Sequence, residues 1–126
     1  MNSNLLQDLL AERGVLLADG ATGTNLFAMG LETGDAPELW NVDHPDRIAE
    51  NYQSFVDAGS DIILTNTFGG THYRLQLHNA ADRVRELNLA GVKIGCEVAA
   101  KASCPIIIAG SIGPTGEIPE PMGSLS

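Results

Sequence analysis

Val15-Leu16-Leu17-Ala18-Asp19-Gly20-Ala21-Thr22-Gly23-Thr24 is the stretch whose reading decides the fold. An apolar run stops at an acid, and glycines and threonines follow at once. The run has the length of a buried strand, and the glycines stand where such a strand must turn. Asp19 therefore ends a strand on the side where α/β sheets place their ligands. The pattern returns in Asp61-Ile62-Ile63-Leu64-Thr65, which runs into Asn66-Thr67-Phe68-Gly69-Gly70. It returns again in Pro105-Ile106-Ile107-Ile108-Ala109, which runs into Gly110-Ser111-Ile112-Gly113-Pro114. Parallel strands are expected near 15–19, 61–65 and 105–110, and their polar ends describe one shared site.

The segments between these runs read as helices. Leu5, Leu6, Leu9 and Leu10 share a face of a short helix over 5–13, stopped by Gly14 and placed to cover the bottom of the sheet. Thr22 to Met29 predicts a brief helix closed by Gly30. The connection from Leu31 to Asp43 has no clear period, and long ordered connections tend to be functional. Asp43-His44-Pro45 is a helix start, with a capping residue and then proline in the first turn. Ile48, Tyr52, Phe55 and Val56 follow at the spacing of a buried stripe, and Gly59 ends the helix. Helical turns are expected over 71–78. A longer helix runs from about Ala80 to Ala102, with Val84, Leu87, Ile94 and Val98 inward and Gly91 allowing close approach to the sheet. Arg83, Arg85, Glu86, Lys93, Glu97 and Lys101 form its solvated face. Pro105 opens the third strand, and Glu117 to Ser126 reads as a loop.

Strands separated by helices mean a parallel sheet with right-handed crossovers. Leu16, Ile62 and Ile106 recur about 45 residues apart, a spacing typical of a (β/α)8 barrel with insertions. Three strands cannot close a barrel. The chain is thus either the first three βα units of an incomplete barrel, with residues 1–126 as the N-terminal part of one barrel domain, or a small open sheet.

Composition narrows the partners. Net charge is −9, from 16 acids against 7 lysines and arginines, which excludes the basic footprint of nucleic-acid binding and attraction to an anionic membrane. No apolar run has the roughly 18 residues of a membrane span, and Met1-Asn2-Ser3-Asn4 lacks the head of a signal peptide. Cys96 and Cys104 read as free thiols, and the chain as cytoplasmic.

Of the motifs, Gly20-Ala21-Thr22-Gly23-Thr24 lacks the lysine of a P-loop and the third glycine of the dinucleotide fingerprint. Asp19 either meets a ligand cation or caps its own turn. Thr65, Asn66, Thr67 and Phe68 set donors and acceptors at a strand end, and Gly110 and Ser111 do likewise. His72 and His78 lack metal-ligand spacing and read as surface or helix-end residues. Trp40 either walls a pocket or plugs the rim.

Leu16 to Thr24, Asp61 to Phe68 and Ala109 to Gly116, taken in this order, resemble the start of the homocysteine S-methyltransferase family. The resemblance is nearest to bacterial betaine–homocysteine methyltransferases and the homocysteine domain of cobalamin-dependent methionine synthase. It implies a zinc-dependent (β/α)8 barrel in which homocysteine binds at the strand carboxyl ends, its thiol on the metal. The thiolate is the nucleophile that takes a methyl group, and coordination keeps it deprotonated. By this resemblance Asp19 and Gly20 hold the amino-acid end of homocysteine, Asp19 on its ammonium. Thr65, Asn66, Thr67 and Phe68 shape the pocket, with Gly110 and Ser111 beside them. The family's zinc ligands are three later cysteines, two of them in Gly-Gly-Cys-Cys, a motif absent here. No zinc ligand and no catalytic residue is therefore assigned in this chain. Phe68 is followed by Gly69 where mammalian betaine enzymes carry an aromatic pair, so the methyl donor stays open. The chain alone is expected to be inactive, with an open barrel edge available for self-association. The alternative is a non-catalytic open α/β module that binds a small molecule.

Overall fold

A computed structural model of the chain describes residues 4–125. Met1 to Ser3 and Ser126, which belong to the leader and tail readings, lie outside the described residues. The elements in order are α1 (Leu5–Arg13), α2 (Thr22–Ala28), a 3₁₀ turn (Pro37–Leu39) leading into α3 (Trp40–Asp43), α4 (Pro45–Asp57), and β1 (Ile62–Leu64). There follow α5 (His72–Leu75), 3₁₀ turns over Gln76–His78 and Ala81–Arg83, α6 (Val84–Lys101), and β2 (Ile107–Ala109). Helix α4 begins where Pro45 follows His44, although His44 caps it without a side-chain hydrogen bond.

β1 and β2 pair in parallel, with Ile62 opposite Ile107, Ile63 opposite Ile108 and Leu64 opposite Ala109. Bonds from Ile107 N to Asp61 O (2.8 Å) and from Thr65 N to Ala109 O (2.9 Å) carry the pairing past both ends. The expected first strand differs. Residues 15–19 run beside β1 but join it through a single bridge, Ala18 to Ile62. Two carboxylates explain why no ladder forms. The Leu17 amide donates to Asp61 Oδ2 (2.9 Å), and the Leu64 amide donates to Asp19 Oδ2 (3.0 Å). Between them Asp61 N (2.7 Å) and Ile62 N (3.1 Å) share Leu17 O, and Asp19 N donates to Ile62 O (2.9 Å), as the central backbone bonds. Side chains have replaced the outer ladder partners. Arg13, at the end of α1, pairs with the same Asp61.

The main core unites Leu26, Leu31, Trp40, Ile48, Tyr52, Ile63, Ile94, Val98 and Ile106. Strand side chains alternate between faces, so Ile63 (1% exposed) meets this core while Leu64 (38% exposed) points the other way. Helices α4 and α6 pack on each other and cover the Ile63 face; the opposite face, with Leu17 and Leu64, is open. Each fully buried Ile or Leu contributes about 1.5–3 kcal/mol, which makes Ile48, Leu26 and Ile63 anchors of the covered face. Leu75, Ala80 and Leu87 form a satellite cluster.

Three expectations change in detail. Of the leucines on α1 only Leu9 is buried, while Leu5 is half-buried and Leu6 and Leu10 are exposed, and none of the four belongs to the main core or the satellite cluster, so this helix does not present the buried face expected of it. Trp40 neither walls the pocket nor plugs a rim; it lies in the core under the Arg47 guanidinium, 4.8 Å from the ring centre. Gly91 gives close approach to Asn41 and Thr67, while Gly95 is the glycine that meets the sheet, at Ile108.

Candidate functional site

The segment after β1 is tied to its neighbours by several side-chain hydrogen bonds. Thr65 and Thr67, 4% and 7% exposed, close a ring with Ser111. The Thr67 hydroxyl donates to Ser111 O (2.8 Å), and Ser111 N donates to Thr65 Oγ1 (3.2 Å). The remaining contact, 2.7 Å between the two hydroxyls, therefore has Thr65 as its donor. Such a closed cycle polarises each member and pins the β1 loop to the β2 loop. Gly113 N adds a bond to Phe68 O (2.9 Å) between the same loops.

A second network fastens this loop to the helices. Asn66 N donates to the Tyr52 hydroxyl (2.6 Å), which donates in turn to Gly91 O (3.3 Å). Asn41 Nδ2 donates to Asn66 O (2.8 Å) and Leu87 O (3.0 Å). Asn66 Nδ2 donates to Pro37 O (2.8 Å) and Asn41 Oδ1 (2.9 Å). Burial, with a smaller push from Asp19, raises the Tyr52 hydroxyl to about 12, so it is a neutral donor across the ordinary pH range. Gly69 N donates to Glu38 Oε1 (2.6 Å), and Asn88 Nδ2 donates to Gly70 O (2.7 Å).

These ties shape a cavity of about 500 Å³ at the carboxyl ends of the strands. Of the residues expected from sequence, Gly20, Thr65, Asn66, Phe68 and Ser111 line it; Asp19, Thr67 and Gly110 do not. Thr67 acts through its ring with Ser111. Asp19 stands at the correct rim, beside Gly20, with Oδ2 on the Leu64 amide and Oδ1 buried without a partner. Burial raises its pKa, and the amide bonds at Leu64 and at its own backbone oppose that rise.

Sequence reasoning missed Glu38, Arg74 and His78, which also line the cavity. Glu38 is buried in the period-less connection, where length alone was the signal. Arg74 is set by α5, whose first turn is capped by the Thr71 hydroxyl accepting from Arg74 N (3.3 Å). His78 ends a 3₁₀ turn, as a helix-end histidine, but faces the cavity. Cys96 and Cys104 are free and exposed, on α6 and before β2, away from the strand carboxyl ends. Among the described residues no three His, Cys, Asp or Glu side chains converge as a metal site, and no helix is long and apolar enough to cross a membrane.

Parallel strands, helices on one face and a cavity built from successive strand-end loops define an α/β chain of the partial-barrel kind. Its family is the homocysteine S-methyltransferases, to which the chain belongs: the model of that family, described as Homocysteine S-methyltransferase, matches residues 16–125. Methionine synthase of Mycobacterium tuberculosis (strain ATCC 25618 / H37Rv) is 34% identical over 123 residues, 90% of this chain and 10% of that protein. Homocysteine S-methyltransferase of Escherichia coli (strain K12) is 29% identical over 128 residues, 90% of this chain and 40% of the relative. The crystal structure of the homocysteine methyltransferase MmuM from Escherichia coli, in its metallated form, superposes with a TM-score of 0.74 at 26% identity. That match covers 88% of this chain and 42% of MmuM. The chain thus spans less than half the length of these relatives.

Proposed function

We propose that this chain is the first portion of a (β/α)8 homocysteine S-methyltransferase, carrying the amino-acid end of the homocysteine site. One observation supports the reading: segments from all three expected strand ends meet in a single cavity, through Gly20, Thr65, Asn66, Phe68 and Ser111. Acids (Asp35, Glu38) and bases (Arg74, His78) both line it, which suits a zwitterion. Asp19 supports the wall from behind: by holding the Leu64 amide it fixes Gly20 against the end of β1. Thr67 and Gly110 belong to the same support.

The zinc that the family resemblance implies does not fit the residues present. Cys96 and Cys104 lie off the cavity, and the described residues assemble no ligand set. No step of the reaction is assigned to a metal in this chain. Its own residues bind and orient the substrate's amino-acid end, and methyl transfer from a donor such as betaine or methylfolate-derived methylcobalamin needs groups that they do not supply. The open face bearing Leu17 and Leu64 is the interior face of the barrel, and parallel sheets are normally covered on both faces. Self-association through the open barrel edge, and a cytoplasmic location, belong to the same reading.

Calorimetric titration with L-homocysteine under a phosphine reductant tests it. Saturable binding is expected, together with no methyl transfer from betaine, S-methylmethionine or methylcobalamin. Absence of binding would reject the site, and robust turnover by the chain alone would reject the partial-site reading.

A further inference from the structure

The two carboxylates that interrupt the first strand are not alike. The bridge between Ala18 and Ile62 sets a register in which Ile62 N donates to Leu17 O and Asp19 N donates to Ile62 O. In a parallel ladder the next bond of that register runs from Leu64 N to Asp19 O. Leu64 N donates instead to Asp19 Oδ2 (3.0 Å), so the side chain stands in for the carbonyl of its own residue. At the other end Asp61 Oδ2 takes the Leu17 amide, and Asp61 Oδ1 is held by Arg13. Asp61 is thus anchored through both oxygens. Asp19 is anchored to β1 through one, and its Oδ1 is buried without a partner. An unpaired carboxylate oxygen away from water is costly, and a donor or a cation relieves that cost. Leu64, to which the carboxylate is bonded, and Gly20, the next residue in the chain, both line the cavity, while Asp19 itself does not.

We propose that Asp19 is a two-position clip worked by the ammonium of the ligand. In the free chain its carboxylate occupies the Leu64 amide and keeps the first strand short. When an ammonium takes the carboxylate, the Leu64 amide passes to Asp19 O and one further ladder bond forms beside the cavity. The amide has a partner in either position, because both acceptors belong to one residue. The carboxylate exchanges a neutral donor for a charged one, the stronger of the two. Part of the ammonium's attraction is lost to releasing Leu64, so the free chain binds more weakly than a chain already in the released position. Asp61, with Arg13 on its second oxygen, lacks this freedom and keeps the opposite end of the strand in register. This inference rests on the homocysteine reading above and adds how the site responds to its ligand.

Nitrogen–carbon couplings across hydrogen bonds, measured by NMR on the isotope-labelled whole chain under a phosphine reductant, read the clip directly. In the free chain Leu64 N should couple to Asp19 Cγ. Saturating L-homocysteine should abolish that coupling and raise one to the Asp19 carbonyl carbon. The deamino compound 4-mercaptobutanoic acid should leave the coupling on Cγ. Asp19→Ala removes the clip and should show the carbonyl coupling without ligand; if that variant does not fold, the wild-type spectra decide alone. A coupling that stays on Cγ with homocysteine bound would overturn the clip and leave the homocysteine reading standing. So would a carbonyl coupling already present in the free chain, or one raised equally by the deamino compound. Its absence from folded Asp19→Ala would overturn the exchange as well. No binding of homocysteine in the same titration would overturn the homocysteine reading and this inference with it.

Discussion

Replacing Thr67 by valine removes one hydroxyl from the Thr65–Thr67–Ser111 ring while keeping the side chain's shape. Two groups lose their partner: the Thr65 hydroxyl hydrogen and the Ser111 carbonyl. A buried polar group left unsatisfied costs about 1–3 kcal/mol. Thr65 is 4% exposed and bears that cost, whereas Ser111 is half-buried and water offsets part of its share. The added methyl returns roughly 0.8 kcal/mol of apolar burial. The net expectation is a loss of about 1–3 kcal/mol. Urea unfolding followed by Trp40 fluorescence and circular dichroism measures it, since the only tryptophan lies in the core. Thr65→Val and the double variant complete a cycle. In a closed ring the second deletion removes a group already stranded, so the double loss should fall short of the sum by about 1 kcal/mol. A Thr67→Val loss below about 0.5 kcal/mol, or additivity within about 0.3 kcal/mol, would refute the ring as the tie between the loops.

Gly91→Ala should destabilise by about 1–3 kcal/mol despite the better helix propensity of alanine, because the new Cβ lies 2.8 Å from Asn41 Nδ2 and 3.2 Å from Thr67 Cγ2. A stabilised variant in the same urea assay would refute that packing. For Asp19, burial favours the neutral acid in the folded state, so its contribution is full below the ordinary value of 3.8 and is lost as pH rises through the higher folded value. Asp19→Asn should therefore gain stability relative to wild type as pH rises from below 3.8 to neutrality; a constant difference counts against this. For Tyr52 the neutral hydroxyl is favoured up to about 12, so its contribution is full below pH 10.0 and lost above it. Wild type should lose up to about 3 kcal/mol relative to Tyr52→Phe between those values, and parallel curves for the two proteins would exclude it.

What the sequence disclosed was local. The isoleucine runs of β1 and β2 and the proline after His44 each act on their own few residues, and the elements form where those residues stand. The first strand failed to become a ladder for a reason held elsewhere in the chain. Asp61, 44 residues from Leu17, captures the amide that would have extended it, and Asp19 does the same to Leu64, 45 residues away. An aspartate that ends a strand looks the same in sequence whether it meets a ligand or a neighbouring amide. Glu38 and Arg74 were illegible for a related reason. Their segments lack period, and only the folded loop after β1 gives them a common cavity.

The network also separates residues that shape the cavity from residues that can meet a ligand. Thr65, Thr67, Asn41 and the Tyr52 hydroxyl have partners that hold the β1 loop to β2, α3, α4 and α6. A hydroxyl whose donor and acceptor roles are both filled changes a ligand's affinity only by moving the wall. Glu38 Oε2 and Asn66 Oδ1 differ, because the same bonds that fix their side chains leave these oxygens without partners. Preorganised acceptors of this kind need no rearrangement to receive a cation, so little of the interaction is lost to ordering the site. Rigid support therefore comes from the residues most visible in the strand-end motifs. The oxygens still without a partner lie on Glu38, in a turn with no motif, and on the one face of Asn66 that the motif leaves free.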